Sequence, residues 1–327
     1  MIKMLKSKRK LIERLFCYFI FAVLFLFLSN NVFSQTEEEL IDLYNSVTKD
    51  SVLVLKEKND QKEMLINLYE MMHVPAGNFI MGSDSFDIDE RPVREIFLDE
   101  YWIDKYPVTN EQYASFLNSF IKNYPDRRLE IDKFINLDKN EVKVELVNDR
   151  FVPIISYGKH PVIDVTWYGA EEFAKFYHKR LPTEAEWEKA ARGFAGRRYP
   201  WGKQIDSSNA NYWDSKDPFE DGTSSVGFYN GQKYLGFQTS DSQSPFGAYD
   251  MVGNVREWVT DWYQWNYYSK SSKINPQGPQ SGDKKVVRGG GYLFHADDLR
   301  TTIRYALKPG KSADFIGFRC ASSTKPD

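Results

Sequence analysis

The sequence predicts an α+β fold rich in coil. Three observations point there. Short segments with helical apolar spacing each follow a capping residue. Short apolar or aromatic runs read as strands toward both ends of the body of the chain. Residues 196–282 between them are dominated by Gly, Ser, Asn, Asp and aromatic side chains. The 327 residues suffice for one large domain or two small ones, and a 42% apolar content supports a buried core. Aromatic residues make up 16%, and large rings bury area where regular elements are scarce.

At the N-terminus, Lys3, Lys6, Lys8, Arg9 and Lys10 precede the apolar run Leu15 to Leu28. Ser29 to Ser34 then offer small residues at −3 and −1 before Gln35. Residues 1–34 read as a secretory signal peptide, which sends the body to the periplasm, cell surface or extracellular space. The run is short for a span, which takes about 20 residues; an uncleaved signal is the alternative and the expected route to any membrane. Cys17 stands at the front of the run instead of closing it, which argues against lipidation. Without the signal one cysteine remains, Cys320, so no internal disulfide can staple the fold. Bound metal is a natural substitute.

Residues 35–72 read as a helical stem or linker, with Met64, Leu65, Leu68, Tyr69 and Met72 at helical spacing. It is either solvated or packed on a partner. The domain proper is expected at 73–327. Phe79 to Ser83 reads as a strand and turn, Asp84 to Arg94 as a charged loop, and Ile96–Leu98 and Tyr101–Ile103 as strands. Thr109 with Gln112 forms a capping-box pattern, followed by Tyr113, Phe116, Leu117 and Phe120 on one helix face. Residues 121–159 look like an irregular insertion. Thr166 caps a helix over 167–179. Thr183 with Glu186 gives a second capping box, opening a helix over 184–191 that Gly193 stops. Lys285–Arg288, Leu299–Ala306 and Ile316–Ala321 read as strands.

The stretch Phe246 to Trp258 is poor strand and poor helix, so something other than a regular ladder holds it. Asp250 and Glu257 are hard oxygen donors, and Gly253 lets carbonyls turn toward a common point. Ca²⁺ takes such oxygens. The alternatives are a loop folded around a cation and a turn whose acids face solvent.

Five ordered motifs carry a resemblance. They are Val74–Gly77 through Met81–Ser83, Asp104–Asn110, Arg180–Glu188, Phe246–Trp258, and Arg288–Gly291 to Gly317–Ala321. Together they resemble the formylglycine-generating-enzyme, or sulfatase-modifying-factor, domain over residues 73–322. The resemblance implies a C-type-lectin-like α+β fold with two structural Ca²⁺ ions. One would take the side chains of Asp250 and Glu257 with the carbonyls of Gly253 and Val255; Asp250 stands where many relatives have Asn. The other would take Asn211, the Tyr212 carbonyl, the Phe219 carbonyl and either Asp217 or Asp221. The family's enzymes oxidise a substrate cysteine through two cysteines that bind copper. Here Phe294 and Leu299 occupy those positions and Gly291 replaces the motif serine, so no copper is expected and this oxidase activity is disfavoured. Where relatives bridge the cysteine matching Cys320, its partner would lie at Ala191; Cys320 is expected to be a small buried hydrophobe.

No second chemistry is strongly marked. The histidines are His73, His160, His178 and His295, none close to another in sequence. His295 with Asp297 and Asp298 forms either part of a metal site or a surface polar cluster. Gly289–Gly291 lacks the Lys-Ser/Thr of a phosphate loop, and no nucleophile elbow occurs. Trp201, Trp213, Trp258, Trp262 and Trp265 with Tyr263, Tyr267 and Tyr268 are either core or lining of a groove for peptide or sugar. The formal net charge is −3, and the first 34 residues hold six basic side chains and one acid. The acidic remainder opposes a nucleic-acid partner. The expectation is therefore an exported, calcium-stabilised binding or scaffold protein of the cell envelope, with a groove at Gly291, Phe294, His295, Asp297, Asp298 and Leu299. An oxidoreductase working without the cysteine pair, through non-haem iron, is the alternative; a carbohydrate-binding module is a third reading.

Overall fold

The computed structural model describes residues 70–219, 222–234 and 236–326. The expected signal and all but the end of the expected stem lie outside the described residues. Two of the stem's last residues are not helical: Met71–Val74 form a strand, β1. It pairs antiparallel with β4 (Tyr101–Asp104), which pairs in turn with β13 (Ala321–Ser322). The second sheet has the order β11 (Arg304–Leu307), β10 (Lys285–Arg288), β9 (Arg256–Trp262), β12 (Ile316–Phe318), with β12 parallel to β9. Three hairpins complete the strands: β2 (Gly77–Met81) with β3 (Arg94–Leu98), β5 (Val144–Val147) with β6 (Arg150–Pro153), and β7 (Lys233–Tyr234) with β8 (Phe237–Gln238).

The helices start where their caps predict. Helix α1 (Asn110–Asn123) opens on Thr109, whose hydroxyl accepts from Gln112 N while Gln112 Oε1 accepts from Thr109 N. Its buried face is Tyr113, Phe116, Leu117 and Phe120. Helix α3 (Trp167–Phe176) is capped by Thr166 and ends before His178, which adopts a left-handed φ of 55°. Helix α4 (Glu184–Arg192) carries the Thr183–Glu186 box and terminates at Gly193, φ 66°. Arg180 secures that box by gripping both Glu186 oxygens at 2.6 and 2.7 Å.

Residues 121–159 are not an appended insertion. They contain α2 (Ile131–Phe134) and the β5–β6 hairpin, and Ile131, Phe134, Val144 and Phe151 join the core. Gly169 shows how closely this part is built in: a Cβ there would lie 2.3 Å from the Phe134 carbonyl.

Strand β9 divides two apolar clusters. Trp258 packs with α1, α2, α3 and β12; Val259 packs with β2, β3, β4 and α4. The period-two alternation of a strand buried on both faces places neighbours in different clusters. Part of the Phe246–Trp258 stretch is thus regular strand after all. Its charged residues conceal the pattern, because Glu257 is buried and paired. Arg319 Nε and Nη2 reach Glu257 Oε2 and Oε1, both at 2.8 Å, and Trp187 Nε1 donates to Oε2 at 2.7 Å. Arg319 also donates to the carbonyls of Asp104, Lys105 and Tyr249. On α4, Glu184 and Glu188 stand one turn apart in the interior. They meet Arg192, Arg288 and Arg304.

Two substitutions separate capping from buried pairing. Thr183→Ala loses one cap and is expected to destabilise by about 1 kcal/mol. Arg319→Met strands the Glu257 charge and is expected to destabilise by about 3 kcal/mol or more. Urea denaturation followed by tryptophan fluorescence measures both; equal losses would contradict the special weight given to Arg319.

Candidate functional site

The chain brings the expected metal loops against each other. Asn254 N donates to the Asn211 carbonyl at 2.8 Å. Gly253 has a φ of 82°, and a Cβ on it would lie 2.8 Å from that same carbonyl oxygen, so no larger residue fits this crossing. In the first loop Asp250 is left-handed, φ 55°, and its Oδ2 accepts from Gly227 N at 2.6 Å. Burial pushes its carboxyl up to about 6; the Glu257 charge adds to the rise, while the Gly227 N–H and Arg319 oppose it. Glu257 is held by Arg319 and Trp187 as described, and the Gly253 and Val255 carbonyls belong to the turn between the two acids.

In the second loop Asn211 Nδ2 donates to the Gly222 carbonyl at 2.8 Å, whereas its Oδ1 is buried without a hydrogen-bond partner. Asp217 accepts three bonds, from Phe219 N, Ser215 Oγ and Tyr229 OH, at 2.9, 2.8 and 2.7 Å. The Tyr212 carbonyl accepts from Ser215 N. Phe219 packs its ring against Phe228 and His160. Asp221, the other candidate, lies outside the described residues.

The groove residues divide. Gly291 lies against the 254–256 backbone, and Phe294 N closes a turn onto its carbonyl at 3.0 Å. The Phe294 carbonyl accepts from Trp213 N at 2.9 Å, joining this turn to the second loop. His295 is exposed and meets the half-exposed Trp213 edge-on at 6.3 Å. Asp297 is exposed and paired with Arg198 at 2.8 Å, and Asp298 N bonds the His295 carbonyl. Leu299 is 0% exposed and belongs to the core. The arrangement offers a face of Trp213, Phe294 and His295, with Leu299 sealed behind it. Among the described residues no three His, Cys, Asp or Glu side chains converge as a metal cluster.

The remaining histidines lie apart. His73 pairs with Glu100, and His160 is buried with Nδ1 3.0 Å from Thr223 Oγ1. Burial pushes the His160 imidazole down to about 4. His178 is exposed. The aromatic run is divided as well. Trp258 and Tyr268 are core, Trp265 is exposed, and Trp262 lines a cleft of about 420 Å³ with Tyr168, Gly282, Asp283, Lys308 and Lys311. That cleft shares no residue with the 291–299 face.

One site residue escaped the sequence reading. Arg256 is buried, with its guanidinium carbon 4.0 Å from the Phe294 ring centroid and 4.8 Å from that of Tyr305. The signal was its position two residues before Trp258, which puts both on one face of β9.

Residues 56–324 match the family described as "Sulfatase-modifying factor enzyme 1-like domain". The formylglycine-generating enzyme of Mus musculus is 32% identical over 292 residues, covering 79% of this chain and 76% of that protein. A protein of Chlamydia caviae named serine/threonine-protein kinase pkn1 is 39% identical over 261 residues, covering 78% of this chain but only 38% of that protein. The chain therefore spans about two fifths of that relative. The structure of PvdO from Pseudomonas aeruginosa superposes with a TM-score of 0.59 at 24% identity, over 78% of this chain and 95% of that one, and shares the fold. With its loop-rich α+β architecture and its ordered motifs, the chain belongs to the sulfatase-modifying-factor, or formylglycine-generating-enzyme-like, domain family.

Proposed function

We propose that this domain is an exported, calcium-stabilised module that binds a protein or peptide at the 291–299 face and does not catalyse thiol oxidation. One observation carries the reading. At the two positions where the family's oxidases hold thiols, Leu299 is sealed in the core and Phe294 lies under the Arg256 guanidinium and meets Phe315 edge-on. Neither side chain forms a thiolate, binds copper or exchanges disulfides. Cys320 does not replace them: it is 0% exposed, and burial pushes its thiol well above the usual range. Fold alone does not preserve an activity whose reacting groups have changed.

Two features support calcium. Asn211 Oδ1 is a buried hard oxygen without a partner, and a bound cation would satisfy it. Asp250 is raised by burial and by the Glu257 charge, and a divalent cation would favour its ionised form. Glu257 and Asp217 already accept strong donors, so each would offer only a remaining lone pair. The holders would be Asp250, Glu257 and the Gly253 and Val255 carbonyls in one loop, and Asn211, Asp217 and the Tyr212 and Phe219 carbonyls in the other. Bound there, calcium would clamp coil that lacks ladder hydrogen bonds.

Incubated with copper and a cysteine-containing peptide, the protein is expected to consume no oxygen and to leave the thiol intact. Turnover to an aldehyde would overturn the binding reading.

Calcium is expected to raise the melting temperature and a chelator to lower it, with about 2.7 kcal/mol gained at a hundredfold excess over Kd. The pH dependence has a definite sign. Asp250 is raised in the fold, so without calcium its contribution is fully present below its unfolded value and is lost as pH rises through about 6. Calcium needs the ionised form, so its stabilising increment should be largest above pH 6 and shrink below it. A melting temperature indifferent to both calcium and chelator would remove the ion from this account.

A further inference from the structure

Six arginines are buried among the described residues. Five reach carboxylates: Arg192 meets Glu188, Arg288 meets Glu184 and Glu188, Arg300 meets Glu90 and Asp87, Arg304 meets Glu184, and Arg319 meets Glu257. Arg256 is the sixth. Among the described residues it forms no ion pair, and its Nε and Nη1 are buried without any acceptor.

A guanidinium cannot lose its proton in the physiological range. Burying it without a counter-charge therefore costs stability. Cation–π attraction to Phe294 and Tyr305 offsets only part of that cost. The aromatic rings supply no acceptor oxygen for the guanidinium N–H groups. The surrounding charge does not close the gap. Burial pushes Arg256 down to about 10; Asp298 and Tyr305 oppose the shift, and Arg300 and Arg288 add to it. The rings around it, Phe294, Tyr305 and Phe315, are all half-buried, so the guanidinium lies one ring below the surface.

We propose that Arg256 is a ligand-binding residue that receives a carboxylate from the molecule bound at the 291–299 face. The proposal rests on reading that face as a binding groove, and it names the ligand's chemistry: a carboxylate that reaches the guanidinium beside Phe294 and Tyr305. A carboxylate fits the guanidinium N–H fork. The five other buried guanidiniums of this fold take the same partner from within the chain.

The test uses ¹⁵N-arginine-labelled protein titrated with succinate and, separately, with a short Asp-containing peptide. Inorganic phosphate and chloride at matched ionic strength are the controls. The expected result is a saturable shift of the Arg256 Nε–H resonance, with a melting temperature raised by about 5 °C at a hundredfold excess over Kd. Arg256→Lys should weaken binding at least tenfold, and Arg256→Met should abolish it. If Arg256→Met does not fold, the wild-type Nε–H titration alone decides. Succinate as effective as the peptide would assign the ligand to small organic acids; a peptide-only response would assign it to an acidic segment. Phosphate or chloride shifting the resonance as far as carboxylate would overturn the proposal, as would carboxylate binding undiminished in Arg256→Met. A neutral version of the peptide that shifts Trp213 and Phe294 signals while no carboxylate moves Arg256 would overturn the proposal and leave the groove standing. No response of that face to any probe would overturn both.

Discussion

The bond between Glu257 and Arg319 is the constraint on which the other parts hang. Both residues are almost fully buried. A pair in that position is favourable only when its geometry is close to ideal and its remaining donors are satisfied. Both conditions hold. The guanidinium forks onto the two carboxylate oxygens, and its other N–H groups reach the carbonyls of Asp104, Lys105 and Tyr249. One side chain therefore ties the central strand β9 to the end of β4 and to the residue before Asp250. Trp187 adds α4 through its indole N–H. Glu184 and Glu188 repeat the device on α4, where three arginines converge. A fold with so much coil gains direction from such charge-assisted bonds where ladders are absent.

This construction bears on what calcium would do. Glu257 is neutralised by Arg319 before any ion arrives, so the β9 side of the first loop is held by protein groups alone. The side chains with most capacity left for an ion are Asp250, buried with one N–H bond, and Asn211, whose Oδ1 has no partner. Both belong to loops that cross at Gly253. A cation there would order the crossing and its neighbour, the Trp213–Phe294 contact, without being the support of the sheet. A calcium ion bound there would be joined to the proposed binding face through the Trp213 N–H to Phe294 carbonyl bond.

How much of this was legible varied with how locally it was encoded. Caps act within four residues, so Thr109, Thr166 and Thr183 marked the helix starts from sequence alone. The apolar face of α1 was legible for the same reason. Strand β9 was hidden, because Arg256, Glu257 and Asp261 interrupt its alternation and their partners lie far away in sequence. The core role of residues 121–159 was hidden too, since polar turn residues outnumber the few side chains that reach inward. At the candidate site the family motifs named the segments around residues 211–219 and 250–257, but their crossing at Gly253 appears only in the folded chain. Leu299 looked like a groove residue by alignment with the motif, and only packing placed it in the core. Arg256 stood in plain view, but an unpaired charge becomes visible only when every possible partner can be located.

The groups that hold the scaffold are separate from the 291–299 face. The groups that hold this fold, Glu257 with Arg319 and α4 with its arginines, point inward and make no use of positions 294 or 299. Leu299 joins the adjoining apolar cluster and Phe294 packs against it. Position 256 is different. A buried arginine without a carboxylate adds nothing to the scaffold that an apolar residue would not supply at lower desolvation cost. Its stacking on the very ring that replaces a thiol places that unbalanced charge at the face, where an outside partner can balance it.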